Sequence, residues 1–464
     1  MSVAALTAVC SLLAGQAAAQ PADVARVRLI GALQSQSVDG RANSMSSDGR
    51  IVVGRSTSQL GPEGFAWIDP LRGGRGTIAL GALPSASPFG FASDVADDGS
   101  LVVGGSIDIF GVQRGVLWMQ PLGVQPLPID FDIPGSLGST ARSISADGTI
   151  FSGEITTSQG IRAYRFTPAT GLRPLGGELA DAFFSVAGGL SRDGRHVVGQ
   201  FSLPFGGFSA YRWSDGPAGP VVTLIADLPG GQDTAFANGV SDDGTIVIGT
   251  GTTATGSQGF RWIDPEAGGP GTIPLGELIP GAGSEALACS ADGRIIVGSA
   301  PSSITDTSAT YWRPETGLID LDAFLRDLGV PLGPTRLVTA TSISADGTRV
   351  GGIARTSEGA FSAFIAEVPL AGCLRADFVE PFGVRSNNDV QAFVDAFFAG
   401  EPRADLAEPF GVVSQADVNA FVDAFFESCL PAPVAPPPTR SGDWTIDDLL
   451  ELVDDETGLR LSDD

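Results

Sequence analysis

Short apolar runs, interrupted by glycine, proline or a polar residue, follow one another from Val27 to Leu370. One clear run begins at Ala42, passes Ser46 and the pair Asp48-Gly49, and continues as Ile51-Val52-Val53. The runs are rich in Val, Ile, Phe and Trp, which favours strands, while the frequent glycines and prolines disfavour helices. Asp-Gly between two such runs predicts a tight hairpin, because glycine tolerates the positive φ of the turn.

This unit is repeated seven times, with 46 to 54 residues between successive Asp-Gly pairs. After the turn come an aromatic run such as Gly64 to Trp67, a Gly- and Pro-rich turn, and a Leu-x-x-Leu run such as Leu80 to Leu83. Together with the stretch around the alanine, each unit contains four strands, so residues 27–370 predict an all-β fold, a seven-bladed β-propeller. The repeated acids are expected to be structural turn residues: Asp48, Asp98, Asp147, Asp193, Asp243, Asp292 and Asp346.

The two ends of the repeat array predict how the ring closes. The seventh unit stops at its aromatic run, Ala363 to Val368, and lacks a Leu-x-x-Leu run. A matching run, Val27 to Leu33, stands alone at the other end of the array. We therefore expect this N-terminal strand to pair with the last aromatic strand and to complete blade seven, which removes an unpaired sheet edge.

The charge composition excludes several functions. The chain has 53 acidic and 27 basic residues, a net charge of −26, and we find no lysine in it. Nucleic-acid binding and docking on anionic lipid both need a positive face, so neither is expected. A phosphate-loop lysine and a Schiff base are also excluded. His196 is the only histidine, and it stands at a position that five other units fill with Ile or Leu and one with Arg349, so we interpret it as a tolerated strand substitution.

The N-terminus has the pattern of a secretory signal peptide. An apolar stretch from Val3 to Ala14 precedes the small-residue run Ala17 to Ala19, which predicts a signal peptide at residues 1–19. No other stretch is long and apolar enough for a membrane span, so a secreted, extracellular or cell-surface protein is expected. Cys289 takes an apolar position of its repeat and is expected to be a buried small hydrophobe.

A second repeat, of 28 residues, lies between Cys373 and Cys429. Each half contains a loop and then a helical pattern, with Val390, Phe393, Val394, Phe397 and Phe398 on one face in the first half. Two such helices would pack through their phenylalanines. Because a segment this small buries little apolar surface, a disulfide between Cys373 and Cys429 is expected in an oxidising compartment.

The tandem loop-helix segment with terminal cysteines, residues 373–429, resembles the dockerin family, in particular GC-type dockerins. The units from Val27 to Leu370 are similar to HAF-type extracellular repeats, whose short aromatic motif here is Gly-Phe-Ala-Trp or Ala-Tyr-Arg-Trp. The first resemblance implies a C-terminal module that binds a cell-surface or extracellular protein. The second carries no assigned chemistry.

The dockerin resemblance also implies calcium as a cofactor, but the loops depart from the EF-hand rule, since Phe382 stands where a ligand belongs. Weak calcium binding remains one reading of the acids Asp377, Glu380, Asp389, Asp405, Glu408 and Asp417. The other reading is structural. Ser386 with Asp389, and Ser414 with Asp417, have the spacing of helix capping boxes.

Residues 430–464 form a Pro-rich linker and an acidic tail. The tail from Asp443 to Val453 has the pattern of a short amphipathic helix. It is either a solvated end or a helix that docks in a partner's groove.

Two functions follow from these observations. The first is a non-catalytic exported platform that binds or organises other molecules and is anchored through residues 373–429. The alternative is a propeller glycoside hydrolase or polysaccharide lyase that uses paired carboxylates on a polysaccharide, which requires neither histidine nor lysine. The sequence gives no catalytic residue for the alternative, because the repeated acids already have a role in turns.

Overall fold

The computed structural model describes residues 26–31, 33, 39–119, 127–128, 135–180, 182–203, 206–216, 219–314 and 316–368, together with residues 393–394, 397–398 and 418. The expected signal peptide, both cysteines of the expected disulfide, the six candidate calcium ligands, the linker and the tail lie outside these residues. Phe393, Val394, Phe397, Phe398 and Val418 are helical, at positions where the sequence predicts helices.

The described chain consists mainly of strands. The chain begins with β1 (Arg26–Ile30), and the first four blades contain β2 (Arg41–Met45), β3 (Ile51–Ser58), β4 (Gly61–Ile68), β5 (Gly76–Gly81), β6 (Gly90–Val95), β7 (Leu101–Ile107), β8 (Gln113–Met119), β9 (Leu127–Pro128), β10 (Ser136–Ile144), β11 (Phe151–Thr157), β12 (Gly160–Thr167), β13 (Gly171–Pro174), β14 (Ser185–Leu190), β15 (His196–Ser202), β16 (Phe208–Gly216) and β17 (Gly219–Ile225). The other blades contain β18 (Phe236–Val240), β19 (Ile246–Thr253), β20 (Gly256–Ile263), β21 (Gly271–Pro274), β22 (Glu285–Cys289), β23 (Ile296–Pro301), β24 (Thr307–Arg313), β25 (Gly317–Asp320), β26 (Arg336–Ile343), β27 (Arg349–Arg355) and β28 (Phe361–Glu367). Within the described part of residues 26–368 there is one α-helix, α1 (Leu321–Asp327), besides 3-10 turns at Pro70–Arg72, Gly177–Leu179 and Pro265–Ala267.

These strands form seven antiparallel four-stranded sheets. Six sheets contain four consecutive strands, for example β2-β3-β4-β5, and the seventh has the order β1-β28-β27-β26. The first strand of each blade lies against the first strands of the two neighbouring blades, which makes a closed ring of β2, β6, β10, β14, β18, β22 and β26. The expected seven-bladed β-propeller is confirmed.

The expected closure by the N-terminal strand is also confirmed. β1 pairs with β28 in a continuous antiparallel register from Arg26 opposite Glu367 to Ile30 opposite Ala363. The strand ends at Ile30, earlier than the expected Leu33, because Gly31 turns the chain with φ 81°.

Two details of the sequence prediction are corrected. The fourth strand lies largely ahead of the Leu-x-x-Leu run: β21 ends at Pro274, just before Leu275, although β5 extends to Gly81 and so includes Leu80. The helix α1 was not expected. Asp320 caps α1 by accepting a hydrogen bond from the Ala323 amide, and Leu321 and Leu325 on one face of α1 are fully buried.

The recurring glycine after each apolar triplet is required by the backbone. A Cβ on Gly54 would lie 1.9 Å from the carbonyl oxygen of Arg41, in the adjacent first strand. The equivalent contact is between 1.9 and 2.0 Å for Gly104, Gly153, Gly199, Gly249, Gly298 and Gly352. Each first strand has a β-bulge at this place, so the glycine permits the close approach that the bulge creates.

Candidate functional site: the two faces and the central channel

The Asp-Gly turns are held by a repeated set of hydrogen bonds. The Ser46 hydroxyl donates to the Asp48 carboxylate at 2.7 Å, and the amide of Arg50 donates to the same carboxylate at 2.9 Å. The amide of Ile51 donates back to the Ser46 hydroxyl oxygen at 3.0 Å. The same serine-to-aspartate bond occurs at Asp147, Asp193, Asp243, Asp292 and Asp346. At Asp98, where alanine replaces the serine, the Ser100 amide still donates to the carboxylate at 2.8 Å.

The turns of neighbouring blades are linked around one rim of the channel. In five of the seven turns, the residue before the turn aspartate donates its backbone amide to the carbonyl of the equivalent residue in the next blade. Such bonds of 2.8 to 3.0 Å join Asp97 to Ala146, Ala146 to Arg192, Asp242 to Ala291, Ala291 to Ala345 and Ala345 to Ser47. The amide of Ser47 donates instead to the Asp97 side chain at 2.8 Å. The seven turns are therefore part of the scaffold.

The channel contains a small cavity of about 220 Å³ lined by the first strands of all seven blades. Asp94 is buried in its wall and joins three blades, because it accepts from Ser44 at 2.6 Å, from the Val95 amide at 2.9 Å and from the Ile144 amide at 2.8 Å. Burial raises the pKa of Asp94, against the opposing effects of Arg192 and these hydrogen bonds.

Other ionisable groups in the channel are also perturbed. Burial, together with the charges of Asp193, Asp243 and Asp292, raises the pKa of Asp242 to about 6, although Arg192 opposes this shift. Arg192 forms an ion pair with Asp97. Cys289 is half-buried in the channel wall rather than fully buried as expected, and desolvation raises the pKa of its thiol to about 12. A thiol with a raised pKa is a poor nucleophile at neutral pH.

Arginine side chains bridge neighbouring blades at several interfaces. These arginines were not predicted from the sequence. Arg212 lies over the Trp262 ring of the next blade at 5.0 Å, donates to the Gly244 carbonyl at 2.7 Å and forms an ion pair with Asp264 at 2.7 Å. Arg165 makes the equivalent contacts with Trp213, Gly194 and Asp215. The signal was in the repeat itself, because arginine recurs in the aromatic run and aspartate recurs two residues after the tryptophan.

His196 lies at the start of β15, with its Nδ1 atom 2.8 Å from the Ser214 hydroxyl. Burial lowers the pKa of the imidazole. A Cβ on Gly244 would lie 2.5 Å from this ring, so His196 packs directly under the turn of the next blade. Its contacts are those of a packed strand residue.

The two faces of the propeller differ in chemistry. Because consecutive strands are antiparallel, the Asp-Gly turns and the turns between third and fourth strands lie on one face, the turn face. The hairpins between second and third strands and the connections between blades lie on the other, the hairpin face. All seven turn aspartates are on the turn face. Eight of the exposed large apolar side chains are on the hairpin face: Leu60, Ile109, Phe110, Leu137, Phe183, Ile304, Leu328 and Phe361.

Three grooves open on the hairpin face. One, of about 440 Å³, includes Phe208, Leu228 and Asp233 between the fourth and fifth blades. A second, of about 270 Å³, lies beside Leu60 and Pro88, and a third, of about 410 Å³, includes Arg41 and Phe361. Exposed Phe183 (73%) adjoins an aromatic row in which the rings of Phe184 and Phe208 are 5.5 Å apart. Exposed apolar side chains beside grooves are typical of a binding surface.

The described tryptophans and tyrosines are all buried. The exposed fraction is at most 8% for Trp67, Trp118, Trp213, Trp262, Trp312, Tyr164, Tyr211 and Tyr311. In these residues the propeller therefore offers no flat Trp or Tyr ring to a sugar.

Within the described ranges, no group of three or more His, Cys, Asp or Glu side chains has the arrangement of a metal site. In the same residues, no helix is long and apolar enough to cross a membrane. Of the site residues predicted from the sequence, the seven turn aspartates lie within the described residues. All seven are on the turn face of the ring.

No family model and no curated protein matches this sequence. Among solved structures, the chain is similar to the β-propeller domain of the trilobed protease from Pyrococcus furiosus, at 9% identity and a TM-score of 0.46 over 71% of this chain and 93% of that one. An oligogalacturonate lyase from Vibrio parahaemolyticus is similar at 10% identity and a TM-score of 0.46, over 75% of this chain and 98% of that one.

TolB from Acinetobacter baumannii matches at 13% identity and a TM-score of 0.35, over 51% of this chain and 53% of that one, so the chain spans about half of that protein's length. At these identities and scores the likenesses concern the propeller fold and carry no argument about activity.

Proposed function

We propose that the protein is a non-catalytic, exported binding platform whose hairpin face holds a protein partner, and that residues 373–429 attach it to a second protein at the cell surface or outside the cell. The observation that carries this proposal is the unequal distribution of exposed apolar side chains, eight of which lie on the hairpin face beside three grooves. On the turn face, Leu71 and Met119 are the exposed large apolar residues among those described.

The chemistry of the hairpin face favours a protein partner over a polysaccharide. Its exposed apolar residues are Leu, Ile and Phe, which pack against apolar side chains of a protein. Sugar rings stack on flat Trp and Tyr rings, and the described ones are buried. The acidic composition suits a partner with a basic surface, because opposite charges speed association.

The alternative, a glycoside hydrolase or polysaccharide lyase, requires two carboxylates that are free to act on a substrate. The turn carboxylates accept hydrogen bonds within their own turns. Asp94 and Asp264 are bound to neighbouring blades. These contacts favour a structural role for the acids that recur in the repeat.

A set of matched variants tests the platform. The mature chain, a hairpin-face variant (Phe110→Asp, Phe183→Asp, Ile304→Asp) and a turn-face control (Leu71→Asp, Met119→Asp) would be immobilised and exposed to extracellular protein of the source organism. The expected result is a protein retained by the mature chain and the control and lost with the hairpin-face variant. A glycan array and a hydrolysis screen run beside it would overturn the proposal if sugar were released.

The attachment module has its own test. Calcium titration of the full chain by calorimetry is compared with a variant carrying Asp377→Ala, Glu380→Ala, Asp405→Ala and Glu408→Ala, which removes candidate ligands and leaves the capping-box acids Asp389 and Asp417 in place. Heat at millimolar calcium that the variant loses supports ion binding, and its absence ends the calcium hypothesis. The mass of a tryptic peptide pair containing Cys373 and Cys429, measured without reduction, tests the expected disulfide.

A further inference from the structure

The outer rim of blade four has an unusual strand. β17 (Gly219–Ile225) is the outermost strand of its sheet and pairs only with β16. Its seven residues exceed those of the other outer strands: six in β5, five in β1, four in β13, β21 and β25, and two in β9. Within the described residues it is therefore the longest outer strand of the propeller, and the 3-10 turn Gly177–Leu179 of the preceding blade lies against its Val222 side chain.

The free backbone groups of β17 can be assigned from its neighbours. In blades three and five, Leu175 and Leu275 donate their amides inward, to Ala163 and Gly259, at 2.9 Å. Ile225 holds the same place in blade four, opposite Ala210. Because the direction of the amide alternates along a strand, Val222 and Leu224 point their N–H and C=O groups away from β16. Pro220, which has no N–H, also falls on the outward side.

The side chains of this edge are apolar and without charge. No charged residue occurs from Gly216 to Ala226, in a chain whose net charge is −26. Val221 is 56% exposed and Leu224 is 49% exposed. Exposed sheet edges commonly carry a charge or a bulge that prevents pairing with another chain, whereas the one such feature within β17 itself is Pro220, at the beginning of the strand.

The sequence of β17 is complementary to itself. When two copies run antiparallel with Thr223 opposite Thr223, Val222 faces Leu224 and Val221 faces Ile225, so each β-branched or aliphatic side chain meets another. In this register the outward N–H and C=O groups of Val222 and Leu224 exchange hydrogen bonds across a two-fold axis. Such an isologous contact closes on itself and gives a dimer rather than a filament.

We infer that two copies of this chain associate through antiparallel pairing of β17, which joins the fourth blades of two propellers into one continuous eight-stranded sheet. The site lies on the outer rim, apart from the hairpin face, and does not depend on the proposed partner. Because one strand pair buries less surface than a stable dimer interface, the dimer is expected to be reversible and concentration-dependent.

Sedimentation velocity of the mature chain over a range of concentrations tests this inference. One chain of the full sequence has a mass of 47.4 kDa. The expected result is a weight-average mass that rises with concentration toward twice the mass of one chain. The variant Val221→Lys, Leu224→Lys, which places like charges along both edges, should raise the dissociation constant at least tenfold. The control Leu60→Lys, at an exposed residue of the hairpin face, should leave it unchanged.

A cross-link checks the register independently of the charge variant. Thr223→Cys places two thiols opposite each other in a pair that shares no hydrogen bonds, a geometry suited to a disulfide. A covalent dimer on a non-reducing gel that is absent from the mature parent chain and from Thr77→Cys, on the outer strand β5, supports the inference. A constant single-chain mass at high concentration, or equal association by the lysine variant, would overturn it.

Discussion

Arg349 and Asp69 lie 280 positions apart in the chain, and their side chains form an ion pair at 3.2 Å. Arg349 belongs to the second strand of blade seven and Asp69 follows the third strand of blade one. Arg349 also donates to the Gly49 carbonyl at 2.9 Å and to Glu367 at 2.8 Å. Arg28, from the closing strand, adds a bond to Asp69 at 3.0 Å. The seam where the ring closes is therefore held by a network of ion pairs among Arg28, Arg349, Asp69 and Glu367.

Removing Arg349 should destabilise the ring strongly. Its side chain is 5% exposed and that of Asp69 is 1% exposed, so Arg349→Ala leaves a buried carboxylate without one of its partners. We expect the free energy of unfolding to fall by about 3 to 5 kcal/mol. The control is Arg50→Ala, whose pair with Asp48 is largely exposed and should cost less than about 0.5 kcal/mol. Equal effects of the two variants in urea unfolding would contradict this prediction.

The same seam should make the protein sensitive to acid. Burial opposes ionisation of Asp69, but the hydrogen bond and charge of Arg28 and the charge of Arg349 outweigh it, so the pKa of Asp69 lies below its ordinary value. A lowered folded pKa contributes stability above the unfolded value of 3.8, and this is lost as the pH falls through the folded pKa. The stability difference between the parent and Asp69→Asn should therefore be constant near neutral pH and shrink below about pH 4. Denaturant unfolding at several pH values measures it.

The bulge glycines provide a purely steric test. Gly54→Ala would bring a Cβ to 1.9 Å from the Arg41 carbonyl, so the first two strands of blade one must separate. We expect a loss of more than about 3 kcal/mol, as for severe strain in a packed core. Gly176→Ala is the matched control, because a Cβ there meets no atom within 4 Å, and its change should stay within about 0.5 kcal/mol. Thermal unfolding followed by circular dichroism compares the two.

Much of this architecture could be predicted because it is repeated. One Asp-Gly pair is ambiguous, whereas seven at intervals of 46 to 54 residues, with a strand missing at one end and present at the other, determine both the number of blades and their closure. The sequence placed the fourth strand too far along the chain. Leu275, which follows β21, packs in the hydrophobic core and does not belong to the hydrogen-bonded strand.

The exposed apolar side chains of the hairpin face could not be predicted in the same way. Side chains such as Phe110 and Ile304 occupy hairpins that differ from blade to blade, so no period reveals them. Their common exposure on one face becomes visible only when the ring is assembled. The contacts of Arg212 with Trp262 and Asp264 likewise join two blades, so the sequence does not reveal them directly. The arginine and the aspartate do recur in the repeat.

Asp242 should make the protein less stable as the pH rises. Its folded pKa, raised to about 6 by burial and by neighbouring carboxylates, exceeds the unfolded value of 3.8, so ionisation costs stability between about pH 4 and pH 6. Asp242→Asn removes this cost. After allowance for solvent screening, the variant should be more stable than the parent by about 1 kcal/mol at pH 8. The two should be equally stable near pH 4, and a difference that does not depend on pH would contradict the assignment.

Deleting the closing strand should loosen blade seven before any other blade. A chain that begins at Gly31 lacks β1, so β28 loses its outer partner and the ion pair of Arg28 with Asp69 is removed. Amides of β28 and of the adjoining seam with blade one should then exchange with solvent much faster, while those of β15 and β19, in blades four and five, keep their protection. The control is a chain that starts at Arg26, because it retains the whole of β1. Hydrogen exchange followed by mass spectrometry distinguishes local opening at the closing seam from uniform loss of protection, and uniform loss would show that the ring opens as a single unit rather than at its closure.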